Sequence, residues 1–246
     1  MTALTAEDLV AGSKDHLVIA DREGARFMVL NRPGMRNAMS YDWRRDYAAA
    51  LTAAETDDAV KVVIVTGANG DFSSGVDLKD AGANPGRPMF RPHPAEATRG
   101  MSKPVICAID GYCMTGGLEL ALSCSFILAT DRARIADTHA KVGRFPAWGQ
   151  SAMLANAIGA RRARQMSLTG EMITAQRAYD WGIVNEITTP EGLLPRCLEI
   201  AKLIQACSEA SVREQIQVFS RNDGAPLDVA LAAEEYVVRR WRLSHP

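Results

Sequence analysis

Two runs, VKVVIVTG at residues 60–67 and PVICAIDG at 104–111, are apolar at nearly every position. A strand with one wet face alternates polar and apolar residues, so an unbroken run of this length belongs to a strand covered on both faces. Such strands lie in parallel sheets, which need crossover connections. That requirement points to an α/β protein built from βαβ-like units. Each run ends on a glycine and gives way to a glycine-bearing loop, ANGDFSSGVDLKD after the first and YCMTGG after the second.

The flanking sequence fits this scheme. HLVIADREGARFMVLN (16–31) reads as a hairpin turning at Asp-Arg-Glu-Gly. Ser40 is a good N-cap for an amphipathic helix to about residue 55, with Trp43, Tyr47 and Leu51 at helical spacing. The Gly116-Gly117 pair opens a helix running to about Cys124, and SFILATD and RARIADT follow as short strands. From Gly149 the pattern is almost wholly helical, broken at Gly159, Gly170 and Gly182, with Pro190 ahead of two long C-terminal helices. Residues 82–100, rich in Pro, Gly and Arg and without periodicity, read as a mobile surface loop. A chain of 246 residues is long enough for one large core. The expected division is a core over residues 1–190 and a helical segment over 191–246.

Composition excludes several functions. A net charge of -1 leaves no basic excess for a phosphate backbone, so nucleic acid is not an expected partner. No apolar run reaches the roughly 18 residues that cross a membrane. The five cysteines, at 107, 113, 124, 197 and 207, are odd in number and show no CxxC spacing. They read as reduced thiols, and with no basic-then-apolar leader at residue 1 the expected location is cytoplasmic.

Glu119 is the residue whose placement asks for a function. It sits in the first turn of the helix opened by Gly116-Gly117, with Leu118, Leu120 and Leu122 around it. The first N–H groups of a helix have no partner inside it and favour an anion, and a first-turn side chain leans back toward them. The leucines strip water from the carboxylate and raise its proton affinity, while the helix end favours its ionised form. A general acid or base needs that balance; a capping carboxylate without chemistry is the competing reading. FSSGVDL (72–78), after the other buried strand, adds a second glycine loop, and two such loops can supply two converging N–H donors, an oxyanion hole.

NRPGMRNAMS (31–40), VVIVTGANGDFSSGVDLKD (62–80), KPVICAIDGYCMTGGLELALSCSFILATDRARIAD (103–137) and LTGEMITAQRAYDWGIVNEI (168–187), in this order, resemble the enoyl-CoA hydratase/isomerase family, the crotonases. The resemblance implies an α/β, crotonase-like spiral of ββα units with a helical C-terminal region, assembled as trimers or dimers of trimers. It implies that the peptide N–H groups of Val76 and Gly116 hold the thioester oxygen of an acyl-CoA. Arg36, Asn37 and Ala38 match the part lining the CoA channel, with Ser74, Asp77 and Leu78 bordering it; an exposed, solvated Arg36 is the alternative to a phosphate contact. Coenzyme A enters as part of the substrate, and neither a separate cofactor nor a metal is expected.

Glu119 matches the first catalytic glutamate of the hydratases, but the second falls on His139. An imidazole there can act as an acid/base partner, shape the substrate site, or serve the structure. The reaction implied is hydration of a trans-2-enoyl-CoA to a 3-hydroxyacyl-CoA. The departure at His139 keeps open a hydratase/lyase or isomerase reaction, or an acyl-CoA binding protein without catalysis. Asp137-x-His139 invites a metal, but no third ligand accompanies it. Trp148 is expected to pack the acyl pocket, and His16, His93 and His245 to lie at the surface.

Overall fold

The computed structural model describes residues 3–83, 87 and 91–244. A short helix, α1 (Ala6–Val10), precedes the expected hairpin, in which β1 (Leu17–Arg22) pairs antiparallel with β2 (Ala25–Leu30). Ser40 caps α2 (Tyr41–Thr56), its hydroxyl accepting the Trp43 N–H at 3.2 Å. Trp43, Tyr47, Leu51 and Ala54 form the buried stripe of α2. β3 (Val62–Gly67) is buried at every position and leads through the first glycine loop to α3 (Leu78–Ala83). α4 (Pro94–Arg99) and β4 (Val105–Ile109) follow. After β5 (Tyr112–Met114) comes α5 (Gly116–Leu122), then β6 (Phe126–Thr130) and β7 (Arg134–Ala136).

The remainder is mostly helical: α6 (Gln150–Ile158), α7 (Ala160–Thr169), a two-residue β8 (Ile173–Thr174), α8 (Ala175–Trp181) and β9 (Glu186–Thr188). α9 (Leu193–Gln205), α10 (Glu209–Asn222) and α11 (Leu227–Ser244) complete the chain. The main sheet runs β1-β2-β3-β4-β6-β9, all neighbours parallel except the opening hairpin. A smaller sheet runs β5-β7-β8. Between β4 and β9 the chain passes repeatedly from one sheet to the other, so successive turns stack as a spiral.

Both faces of the main sheet are covered, the physical reason that its strands read as unbroken apolar runs. Met28, Val63, Val65, Cys107 and Ile109 face one cluster with the stripe of α2 and Leu118 and Leu120 of α5. Phe27, Val62, Ile64, Ile106 and Ala108 face the other, closed by Leu9 of α1 and Leu193, Leu194, Cys197 and Ala201 of α9. Among the described residues no helix is long and apolar enough to cross a membrane.

Several expectations are corrected. The irregular 82–100 stretch contains α4, whose Pro94, Ala95 and Thr98 are buried; residues 84–86 and 88–90 lie outside the described residues. The helix starts at a Pro, where the missing N–H costs nothing, and His93 rather than Ser or Asp caps it, its Nδ1 accepting the Glu96 N–H at 3.1 Å. His93 is therefore interior, 5% exposed and stacked on Trp148 at 5.6 Å. His16 is half-buried and pairs with Asp46 at 3.0 Å, and His245 lies outside the described residues. Among the described residues three helices, not two, follow Pro190.

Candidate active site

The two glycine loops are stitched together. The Ser73 N–H donates to the Tyr112 carbonyl at 2.9 Å, Met114 returns a bond to the Ser73 carbonyl at 2.9 Å, and the Thr115 hydroxyl donates to the Ser74 carbonyl at 3.1 Å. The approach is close enough to demand glycine. A Cβ on Gly117 would lie 2.8 Å from the Ser73 carbonyl oxygen, and one on Gly75, at φ +98°, would lie 2.1 Å from Thr115 Oγ1. Val76 is clamped on both sides: the Gly75 carbonyl accepts the Met39 N–H at 2.7 Å and the Asp77 N–H donates to the Met39 carbonyl at 3.1 Å. A Cβ on Gly116 would stand 3.3 Å from the Val76 nitrogen, so the two residues are immediate neighbours, and both line one cleft of about 340 Å³.

Glu119 lies in that cleft with 2% exposure. Its Oε1 accepts the N–H of Trp148 at 2.7 Å and that of Gln150 at 3.3 Å. Gln150 is the first residue of α6, so the carboxylate serves the start of another helix as well as lying in the first turn of its own. Burial raises the proton affinity of Glu119 above the ordinary carboxylate value; the two backbone bonds and the nearby imidazole oppose this without cancelling it.

His139 Nε2 stands 3.7 Å from Glu119 Oε2, and its Nδ1 is 2.7 Å from Asp137 Oδ1. Burial works to raise Asp137, but hydrogen bonds from His139 and Ser167 outweigh it and hold the carboxyl below its usual value. An ionised carboxylate can only accept, so Nδ1 carries the hydrogen and Nε2 is turned toward Glu119. The Asp137 carboxylate also accepts the His139 N–H at 3.2 Å, which explains the two-residue spacing: an aspartate readily bonds the backbone two residues on. Asp137 is thus the imidazole's partner, a use that the Asp-x-His spacing carries in sequence. The Trp148 and Gln150 donors carried no local signal, because they stand 29 and 31 residues from Glu119.

The residues matched to the CoA channel divide. Ser74 and Leu78 line the cleft. Arg36 is exposed, at φ +47°, with its guanidinium 4.6 Å from the Tyr112 ring centroid. Asn37 is 1% exposed and fully engaged: its amide donates to the Ala68 and Asp71 carbonyls at 2.9 and 2.7 Å, and its Oδ1 accepts the Arg32 N–H at 2.8 Å. Asp77 pairs with Arg32 at 3.0 Å and accepts the N–H groups that open α3. The Ala38 carbonyl accepts from Arg32 as well. These three residues hold the loop in shape from inside. Trp148 contributes to the cleft wall, as do Arg44, Arg144 and Phe145, none of which the sequence singled out.

Comparison with known proteins settles the family. A sequence profile described as enoyl-CoA hydratase/isomerase matches residues 21–240. The chain belongs to the enoyl-CoA hydratase/isomerase family. Within that family it is 36% identical over 211 residues to a probable peroxisomal enoyl-CoA hydratase 1 of Arabidopsis thaliana, covering 85% of this chain and 79% of that protein. It is 30% identical to a crotonyl-CoA hydratase of Syntrophomonas wolfei, covering 87% of this chain and 84% of the relative. The crystal structure of an enoyl-CoA hydratase from Mycobacterium tuberculosis H37Rv superposes with a TM-score of 0.79 at 40% identity, covering 93% of this chain and all of that one. The spiral of stacked turns is the crotonase fold.

Proposed function

We propose that this protein hydrates a trans-2-enoyl-CoA to the 3-hydroxyacyl-CoA, with Glu119 and His139 as the two proton-handling groups and the Val76 and Gly116 amides as the oxyanion hole. The observation that carries the reading is the line of side chains Asp137, His139, Glu119, at 2.7 and 3.7 Å, ending in the cleft beside Gly116. Neither the Val76 nor the Gly116 N–H has a hydrogen-bond partner among the described residues, which leaves both free for a thioester oxygen.

In this mechanism Glu119 Oε2 takes a proton from water as the water oxygen bonds to Cβ. The π electrons of the double bond move onto the thioester oxygen, where the two amides stabilise the enolate; one such donor is worth roughly 2.7–4 kcal/mol. The enolate collapses as protonated His139 delivers its Nε2 proton to Cα. The proton on Glu119 then returns to Nε2 across the gap between them and resets the pair. A buried carboxylate of raised proton affinity suits the base, and Asp137 stabilises the imidazolium and fixes its orientation. The protein acts as a homo-oligomer, a trimer or dimer of trimers, in the cytoplasm; the apolar faces of α10 and α11 and the five free cysteines support these two points.

Loss of conjugated-thioester absorbance with crotonyl-CoA tests the reaction. Wild-type protein turns over, and Glu119→Gln lowers kcat by about 10²–10⁴ with CoA affinity retained. An inactive wild type, or a fully active variant, refutes the reading. Asp137→Asn, which removes the charge that stabilises the imidazolium while keeping a polar partner for Nδ1, lowers kcat by about 10² or more while KM changes little. A D137N enzyme with wild-type kcat removes Asp137 from the proton path.

A further inference from the structure

Two arginines stand on the cleft wall. Arg44 and Arg144 both line the cleft, and neither forms an ion pair with any carboxylate among the described residues. Arg44 is half-buried; its Nε donates to the Ser40 carbonyl at 3.2 Å and its guanidinium lies 5.6 Å from the Tyr41 ring centroid, which leaves both terminal nitrogens of the fork unbonded among the described residues. Asp80, the carboxylate on the neighbouring helix, is engaged: it accepts the Tyr41 N–H at 2.7 Å and lies 3.7 Å from Arg87. Residues 84–90, Asn-Pro-Gly-Arg-Pro-Met-Phe, contain no acid that might neutralise it.

The placement of Arg44 runs against stability. It falls in the opening turns of α2, where the helix dipole disfavours a cation, and burial lowers its affinity for its proton, opposed by Asp80 and Tyr41. A desolvated guanidinium with two free donors is a fork awaiting a carboxylate or phosphate. Among the described residues Glu119 is the one carboxylate on the cleft wall, and it is taken up by the Trp148 and Gln150 amides. Arg144 belongs to the same segment as His139, its N–H donating to the His139 carbonyl at 2.9 Å, and Val142 and Phe145 flank it on the wall. Arg44 shares the wall with Leu78 and Ala81.

We infer that the acyl chain taken by this site ends in a carboxylate held by Arg44 and Arg144, so that the substrate class is the CoA thioester of an unsaturated dicarboxylic acid. The inference rests on the acyl-CoA reading above. With the thioester oxygen at Val76 and Gly116 and the double bond between Glu119 and His139, a chain continuing past Cβ runs along the Val142 and Phe145 side toward the two forks. The apolar residues contact its methylenes and the arginines its terminal charge.

Calorimetric titration with unreactive saturated thioesters tests this apart from turnover. The pairs are pentanoyl-CoA with glutaryl-CoA and hexanoyl-CoA with adipyl-CoA, with free CoA as a further ligand. In at least one pair the carboxylated member binds about 10- to 100-fold more tightly, the range for a hydrogen bond to a charged group. Arg44→Met and Arg144→Gln each remove most of that ratio; Arg144 is exposed, so its replacement tests the site even if R44M folds poorly. Equal binding within both pairs overturns the inference while leaving the acyl-CoA reading intact. A uniform weakening of free CoA and all thioesters in the variants assigns the arginines to CoA phosphates and also overturns it. Failure of every CoA compound to bind the wild type sinks both readings together.

Discussion

Glu119 is a carboxylate at 2% exposure, and its two backbone bonds do not fully offset the loss of water, so its folded pKa lies above the ordinary 4.5. The sign of its effect on stability follows. A carboxyl whose folded pKa is raised favours the folded state while protonated, and that contribution is lost as pH rises from 4.5 through the raised value. At neutral pH the ionised group therefore costs stability. Glu119→Gln keeps an oxygen to accept the Trp148 and Gln150 amides and removes the charge. Its Tm at pH 7 should rise above that of the wild type, with the difference closing as pH falls toward 4.5. Thermal melts across that range check it, and a variant less stable than wild type at pH 7 contradicts it. With Glu119 as the proposed base, kcat/KM should fall as the medium is acidified through its raised pKa. That Glu119 matters was legible from its leucine neighbours, because burial of a charge shows in local sequence. Its partners were not, since Trp148 and Gln150 reach it only through the fold.

At the scale of elements, the approach of two loops decides whether the cleft exists. Ala at 117 places a Cβ 2.8 Å from the Ser73 carbonyl oxygen and 3.0 Å from Ser73 Cβ, contacts that the backbone must move to relieve. The clash costs about 1–3 kcal/mol against a helix-propensity gain of about 1 kcal/mol. G117A should melt earlier than wild type, by up to about 8 °C, and lose kcat out of proportion, because Val76 moves with its loop. Undiminished kcat in a folded G117A would show that the loop spacing is not critical. The same scale explains what was readable in the elements. β3 and β4 are covered on both faces, so every residue carries the signal. β5, β8 and β9 span three, two and three residues, too few to show a period, and exist because neighbouring strands pair with them. α4 was hidden by a Pro at its first position and a His as its cap, both at home at a helix start but not decisive in sequence.

For the whole molecule, the helices beyond residue 190 divide in their packing. α9 closes the outer face of the sheet, whereas α10 has no fully buried residue. Phe219, Leu227, Leu231 and Tyr236 are between 58% and 74% exposed, and a cavity of about 580 Å³ separates α10 from the end of α5, with Phe219, Ile216 and Leu122 on its walls. An apolar surface of this extent on one hairpin calls for a partner, and the proposed trimer supplies one. Sedimentation velocity at micromolar protein should give a trimer or its dimer, and Phe219→Glu with Leu231→Glu should shift the boundary toward monomer. A wild type that sediments as a monomer refutes the assembly. The crotonase spiral was legible because its motifs recur in order along most of the chain, while the division between α9 and α10 was not, because both show the same helical periodicity.

The tie between Glu119 Oε1 and the amides of Trp148 and Gln150 has a mechanical side. In the proposed cycle, each time the acid accepts a proton its pull on those two amides slackens, and each time it gives the proton up the pull returns. On that proposal the opening turn of α6 is strung to the chemistry, tightening and relaxing once in every cycle.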